Sequence, residues 1–218
     1  MKNVSIVLAS VLLVFSSFVA KVSAQEVSLP EIKQEKVVAD LPEENYDQEK
    51  QDIKNHLSRS FMYMKDKDFD ALMEYSYPKI FDHVTKEQMI GVLEETYNNP
   101  ELEIDVLYQD KINSIGQIRQ IEDYYYSLIN YEYQLLVSND FSSKKIQKRF
   151  HALLNETYGS ENVTFNPSTN KYTVNIVRNG YACSKNKSSW SFIEIDMEKI
   201  EFYKLILPEE LVDEIQGL

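Results

Sequence analysis

The fold is decided by the stretch Phe61-Met-Tyr-Met-Lys-Asp-Lys-Asp-Phe-Asp-Ala-Leu-Met-Glu-Tyr-Ser-Tyr-Pro78, which continues through Thr85 to Asn99. Apolar residues recur along it every three or four positions, which is the spacing of one face of an amphipathic helix. Lys67 interrupts the first apolar stripe, and Pro78 disfavours helix at the residue before it. The stretch therefore predicts three successive helices, with breaks at Lys67 and Pro78.

Short polar residues stand where these helices are predicted to begin. Asp47 can cap the first helix and Asp68 the second, because their carboxylates can accept hydrogen bonds from the free N–H groups of a first turn. Thr85 and Gln88 have the spacing of a capping box at the start of the third helix. That helix is predicted to end at Asn98-Asn99-Pro100.

The hydrophobic period changes from about 3.6 to 2 after residue 100. Leu102, Ile104 and Val106 alternate with acidic residues, which predicts a strand with one face in water. A weaker strand is predicted over residues 115–122 and the longest one over residues 124–137. Apolar side chains on both sides of the longest strand indicate a central, curved strand. The sequence thus predicts an α+β fold.

The remainder of the chain continues this mixture of helix and strand. A helix capped by Ser142 or Ser143 is predicted to follow the longest strand. Turn-rich segments then separate apolar runs, which predicts two hairpins, over 163–177 and 181–195. Residues 200–207 are predicted to form a last extended piece, and Pro208 to open a terminal helix.

The first 24 residues have the pattern of an export signal. Lys2 supplies a positive start, Val4–Val19 is an apolar run, and Val22-Ser-Ala24 fits a cleavage site before Gln25. A retained membrane helix is the alternative, but the run is short for a membrane span. We expect cleavage before Gln25 and a secreted or periplasmic protein.

The rest of the sequence predicts one acidic domain. Residues 25–47 are predicted to be a flexible spacer, and residues 48–218 a single domain. The net charge is −12 at pH 7, and loss of Lys2 and Lys21 with the signal would make it more negative. Such a surface repels phosphate backbones and anionic lipid headgroups. We therefore expect no binding to nucleic acid, and none to membranes after signal removal.

The sequence shows no constellation typical of catalysis or metal binding. Cys183 is the only cysteine, so it cannot form an internal disulfide, and its neighbours show no nucleophile signature. None of the three histidines, His56, His83 and His151, falls on a strand predicted to face a pocket. Five glycines are too few and too scattered for a phosphate-binding loop. We expect no catalytic residue, metal or cofactor.

The unusual feature of the composition is its fifteen tyrosines. Tyr125, Tyr131 and Tyr133 lie on one side of the longest predicted strand, and Trp190 could join them. One interpretation is that tyrosine simply packs well on a half-exposed sheet. The other is a pocket or sheet face that stacks on a sugar, a peptide or another flat ligand. These four residues are the candidate ligand-binding residues.

Three segments carry a family resemblance: Met64 to Pro78, Tyr125 to Tyr133, and Trp190-Ser-Phe-Ile193. Over roughly residues 48 to 207 the chain resembles the nuclear transport factor 2-like superfamily. The resemblance implies N-terminal helices packed in a strongly curved antiparallel sheet that leaves a cone-shaped pocket. Its members include isomerases, dehydratases, transport adaptors and secreted modules, so the fold does not select a function.

Two hypotheses follow from these observations. The first is an exported, non-enzymatic module that binds a small molecule, a glycan or a protein and that could form a homodimer through the sheet. The alternative is a small pocket enzyme of isomerase or dehydratase type. The enzyme would require a buried Asp, Glu, His or Tyr with a shifted pKa at the bottom of an open cone. The sequence favours the binding module.

Overall fold

A computed structural model describes residues 46–100, 102–139 and 143–218 of the chain. The predicted signal and most of the predicted spacer, up to residue 45, lie outside the described residues. The described chain is an α+β structure in which helices pack against both faces of an antiparallel sheet.

The N-terminal helices follow the predicted order. Helix α1 spans Asp47–Asp66, α2 spans Phe69–Met73, a 3₁₀ helix spans Pro78–Asp82, and α3 spans Lys86–Tyr97. Both predicted breaks are confirmed. Lys67 ends α1 in the left-handed region at φ 58°, and Pro78 opens the 3₁₀ helix.

Two of the three predicted caps are confirmed. The Asp68 side chain accepts a hydrogen bond from the Ala71 N–H at 3.1 Å, and Thr85 and Gln88 form the reciprocal capping box. Asp47 is not a cap. It is the first residue of α1, which follows Tyr46, and there its carboxylate still favours the positive end of the helix dipole.

In the described part of the chain six strands form the sheet, and each pair of neighbouring strands is antiparallel. The path order is β1-β3-β5-β4, with β2 beside β3 and β6 beside β5. The strands are β1 (Leu102–Ile115), β2 (Arg119–Ile121), β3 (Tyr124–Asn139), β4 (Val163–Asn166), β5 (Lys171–Ser184) and β6 (Ser191–Glu194).

Strand β1 is much longer than the predicted strand that began at Leu102, and β2 is shorter than predicted. Register shifts interrupt the β1–β3 pairing between Leu107 and Lys111 and between Ile112 and Ser114. The first shift gives β1 two extra residues relative to β3 and the second gives it one, so the pairing is irregular over this part of the strand and a simple alternation of polar and apolar residues is not kept. That loss hid the second half of β1 from the pattern.

The strong curvature predicted for the sheet is not found. The central β3–β5 ladder runs without a register shift from Tyr125 opposite Ser184 to Val137 opposite Tyr172. Bulges are what bend a strand sharply, and this central pair has none. The antiparallel α+β architecture is therefore as predicted, whereas its strong curl is not.

Helices cover the two faces of the sheet unequally. Helix α4 spans Lys144–Tyr158, α5 spans Ile200–Ile206 and α6 spans Glu209–Gln216. Helices α1 and α3 contact one face, where alternate β3 residues point, and Phe150 of α4 contacts Tyr172 on that face. Helix α6 packs on the opposite face, where Tyr181 donates a hydrogen bond to Glu214.

In the C-terminal half, the structure decides between two predicted caps and contradicts one predicted strand. Ser143 is the cap of α4, since its hydroxyl accepts the Ile146 N–H at 3.3 Å. The extended piece predicted over residues 200–207 is wrong, because Ile200–Ile206 is a helix. Its Phe202, Tyr203 and Ile206 are buried together, so packing overrides the strand preference of these residue types.

Candidate functional site

A small cavity lies between helices α1 and α3 and strands β1, β3 and β6. Its volume is about 40 Å³. One water requires about 10–15 Å³ of such a cavity, so there is room for roughly three waters or one small organic group. Six aromatic side chains contribute to the lining: Phe61, Tyr75, Tyr97, Tyr131, Tyr133 and Phe192.

The aromatic wall arises from the two periodicities of the chain. Tyr131 and Tyr133 are two positions apart in β3, so both point to the face that α1 covers. Their rings are stacked, with centroids 6.3 Å apart and an interplanar angle of 20°. Phe61 of α1 packs against both, with its ring centroid 5.9 Å from that of Tyr131 and 5.1 Å from that of Tyr133.

Glu194 is the charged residue among the described residues that line the cavity. Arg178 Nε donates to its Oε1 at 3.0 Å, and the Tyr131 hydroxyl donates to its Oε2 at 3.0 Å. The side chain of Glu194 is 12 % exposed and that of Arg178 is 26 % exposed. The carboxylate is thus held by one guanidinium and one phenol in a mostly desolvated place.

Burial sets the ionisation behaviour of these groups. It raises the pKa of the Glu194 carboxyl, while the Arg178 guanidinium and the Tyr131 hydroxyl act in the opposite direction. Burial also raises the pKa of Tyr131 and of Tyr133 well above the ordinary phenol value. Both phenols therefore stay neutral at physiological pH and offer hydroxyl groups and aromatic faces, not negative charge.

The cavity meets solvent along one edge. Met64, Tyr75, Tyr133 and Glu194 are partly exposed, whereas the other residues of the lining are buried. Met64 and Tyr75 come from α1 and from the segment after α2. A ligand would enter beside partly exposed residues such as these, and the flexible thioether of Met64 can adjust to its shape.

The structure brings together only part of the predicted site. Tyr131 and Tyr133 line the cavity, but Tyr125 and Trp190 do not. The Tyr125 ring lies under Lys187, whose Nζ is 4.7 Å from the ring centroid. Trp190 is 2 % exposed and donates through Nε1 to the Lys187 carbonyl at 3.1 Å. Trp190 lines a separate open pocket of about 320 Å³ beside Tyr124.

Sequence reasoning missed the polar centre of the site, which is Glu194 with Arg178. A signal for it exists in the strand periodicity. Glu194 is two positions from Phe192, so it shares a face with a buried aromatic residue. Arg178 lies directly opposite Tyr131 in the β3–β5 ladder. An acidic residue on the inner face of a strand is uncommon enough to mark a site.

The other candidate groups remain apart from the cavity. His56 Nδ1 lies 2.7 Å from the carbonyl oxygen of Asp52, one turn earlier in its own helix. Cys183 is fully buried, and burial raises the pKa of its thiol well above the ordinary value, which disfavours the reactive thiolate. Within the described ranges no group of three or more His, Cys, Asp or Glu side chains is arranged to hold a metal ion.

None of the helices described between residues 46 and 218 combines the length and the hydrophobicity needed to span a bilayer.

Comparison of the chain with protein-family models, with curated proteins and with solved structures finds no match.

Proposed function

We propose that the protein is a non-enzymatic binding module that holds a small molecule in the cavity between α1 and the sheet. The observation that carries this proposal is a solvent-connected cavity walled by six aromatic rings and containing one fixed carboxylate. Binding sites for small molecules are typically apolar concavities with a few placed polar groups. This cavity has that composition, and its size suits a small ligand or one group of a larger ligand.

A pocket enzyme of isomerase or dehydratase type is the second candidate, and the raised pKa of Glu194 favours it. A general base must accept a proton from substrate within hydrogen-bonding reach. Here each oxygen of Glu194 already accepts a hydrogen bond, one from Arg178 and one from Tyr131. This arrangement suits a fixed recognition charge better than a proton acceptor, so we place binding first.

Three further parts of the proposal come from the sequence. The pattern of Lys2, Val4–Val19 and Val22-Ser-Ala24 supports export with cleavage before Gln25. Mass spectrometry of the exported protein would test this, since an uncleaved N-terminus would contradict it. Helices followed by an antiparallel sheet, with a cavity between them, support a nuclear transport factor 2-like relationship. The homodimer through the sheet stays a prediction.

Binding can be tested by protein-observed NMR with isobutanol, phenol and tetramethylammonium as probes. We expect at least one probe to shift the ring resonances of Tyr131 and Tyr133. Ser60, which lines the cavity, is 8 % exposed, so Ser60→Leu should fill the space and abolish the shifts. Val106→Phe fills the cavity from the opposite wall and serves if Ser60→Leu does not fold.

The matched control is Tyr125→Leu, which removes a tyrosine from the same strand but not from the cavity. Its binding should equal that of the unchanged protein. The proposal is overturned if no probe shifts the cavity resonances, or if the shifts persist in both cavity-filling variants.

A further inference from the structure

The cavity combines the two features by which proteins bind organic cations. Aromatic rings attract a cation through the negative potential of their faces, and a carboxylate supplies opposite charge. Here Phe61, Tyr97, Tyr131 and Tyr133 are among the aromatic walls, and Glu194 reaches the same space.

We propose that the ligand of this cavity is a small organic cation, with a methylated or primary ammonium group seated among the rings beside Glu194. This proposal rests on the proposed binding function and names the class of its ligand. It makes the aromatic walls the main attraction and Glu194 the source of charge selectivity.

The placement of charge around the cavity supports a cation over an anion. Glu194 is part of the lining, whereas Arg178 contacts Oε1 of Glu194 without being part of the lining. Oε2 is held by the neutral hydroxyl of Tyr131, so this side of the carboxylate keeps its negative potential. The net charge of −12 also raises the local concentration of cations around the whole molecule.

Arg178 offsets part of the carboxylate charge, so the selectivity cannot come from Glu194 alone. The stacked pair of Tyr131 and Tyr133, with Phe61 packed against both, supplies the rest. A cation–π contact is stronger where it is desolvated than at an exposed site. Because the carboxylate and the rings both contribute to the attraction, loss of either should reduce the affinity for a cation.

The size of the cavity limits the ligand to a head group. A volume of about 40 Å³ accommodates a methylated ammonium group but not an extended molecule. The remainder of a longer ligand would leave past Met64 and Tyr75, which are partly exposed.

The test is an NMR titration of the full chain with choline and with its neutral isostere 3,3-dimethyl-1-butanol. We expect choline to bind at least tenfold more tightly than the isostere. Glu194→Gln should weaken choline about tenfold and leave the isostere unchanged. Tyr133→Leu should also lower the ratio of the two affinities, whereas the matched control Tyr125→Leu should not.

The outcomes separate this proposal from the proposed binding function. Equal binding of choline and the isostere in the cavity would overturn the proposal of a cationic ligand but would still support the proposed binding function. Failure of both, together with failure of isobutanol, phenol and tetramethylammonium, would overturn both proposals. If circular dichroism shows that Glu194→Gln does not fold, the test rests on Tyr133→Leu. An unchanged ratio of choline affinity to isostere affinity in Tyr133→Leu would then overturn the proposal of a cationic ligand.

Discussion

Glu194 is the residue on which the polarity of the cavity depends, because it is a charged group placed among aromatic rings. Its stability there depends on Arg178, whose Nε lies 3.0 Å from Oε1. Removing one member of a buried ion pair leaves an uncompensated charge, whereas replacing both members by apolar groups is often nearly neutral. The pair therefore behaves as a unit. Removing one member should destabilise the fold more than replacing both members by apolar residues.

The first prediction follows from this asymmetry. Arg178→Met should lower the free energy of unfolding by about 1–3 kcal/mol, since Glu194 loses its charged donor. The double variant Arg178→Met/Glu194→Leu should recover most of that loss. Urea denaturation followed by circular dichroism measures both. A double variant as unstable as the single one would contradict the paired role.

The second prediction concerns pH. Burial raises the pKa of Glu194 in the folded protein, so the native state binds that proton more tightly than the unfolded chain does. The stabilising contribution of the protonated carboxyl is fully present below the ordinary glutamate pKa of about 4.3. It is lost as the pH rises through the raised value. Arg178, Tyr131 and Asp196 act on the Glu194 carboxyl, and Tyr133, Tyr158 and Tyr203 also interact with its charge.

Exposed carboxylates such as Glu103 oppose this trend, because hydrogen bonds from Ser138 and Lys171 lower its pKa. The measurement must therefore compare the unchanged protein with Glu194→Gln at each pH. We expect the unchanged protein to gain stability relative to Glu194→Gln as the pH falls from 8 toward 4. A difference that is constant with pH would show that the carboxyl is not desolvated.

The residue scale also shows what the sequence could predict of the site. Tyr131 and Tyr133 could be predicted because a strand places alternate residues on one face. Tyr125 shares that alternation, but the cavity does not extend to its end of the strand. Arg178 and Glu194 meet across the β5–β6 hairpin, but they reach Tyr131 only through the pairing of β5 with β3, which is far from both in sequence. Single-sequence periodicity carries no information about such pairings.

At the scale of secondary-structure elements, features that depend on neighbouring residues were predicted correctly, whereas features that depend on distant contacts were not. The breaks at Lys67 and Pro78 and the caps at Asp68 and Thr85 depend on a few neighbouring residues, so the sequence determines them. The bulges of β1 and the helical state of Ile200–Ile206 depend on packing against distant segments. Intrinsic preference is a weak guide wherever tertiary contacts decide.

The third prediction tests the capping box of α3. Thr85 Oγ1 accepts the Gln88 N–H at 3.2 Å, and Gln88 Oε1 accepts the Thr85 N–H at 3.0 Å. Thr85→Ala removes the first bond and should lower the free energy of unfolding by about 1 kcal/mol. Thr85→Ser keeps the hydroxyl and is the matched control. Thermal unfolding of the three proteins would contradict the cap if the alanine and serine variants were equally stable.

At the scale of the whole described structure, the two faces of the sheet are covered by different helices. One face, with α1 and α3, encloses the candidate cavity, and the opposite face carries α6. The change of hydrophobic period near residue 100 was enough to predict this α+β order. It could not predict the curvature, because the absence of a bulge in the β3–β5 ladder is a property of strand pairing and not of either strand alone.

Helix α6 is fixed to the sheet by apolar contacts and by a polar network. Leu211 and Ile215 are 0 % exposed. Glu214 accepts hydrogen bonds from Tyr181 at 2.8 Å and from Arg119 Nη2 at 2.7 Å. Because these contacts lie on the face opposite the cavity, loss of α6 packing should affect the stability of the fold more than the shape of the candidate cavity.

The fourth prediction tests this separation with Ile215→Ala. Truncating a fully buried isoleucine leaves a cavity, so the free energy of unfolding should fall by about 2–4 kcal/mol. The matched control is Leu218→Ala, since Leu218 is in the same C-terminal segment but 61 % exposed, and its stability should be unchanged. Well below the unfolding transition, Ile215→Ala should bind choline with the affinity of the unchanged protein. A parallel loss of binding and stability would instead mean that the two faces are energetically coupled through β3 and β5.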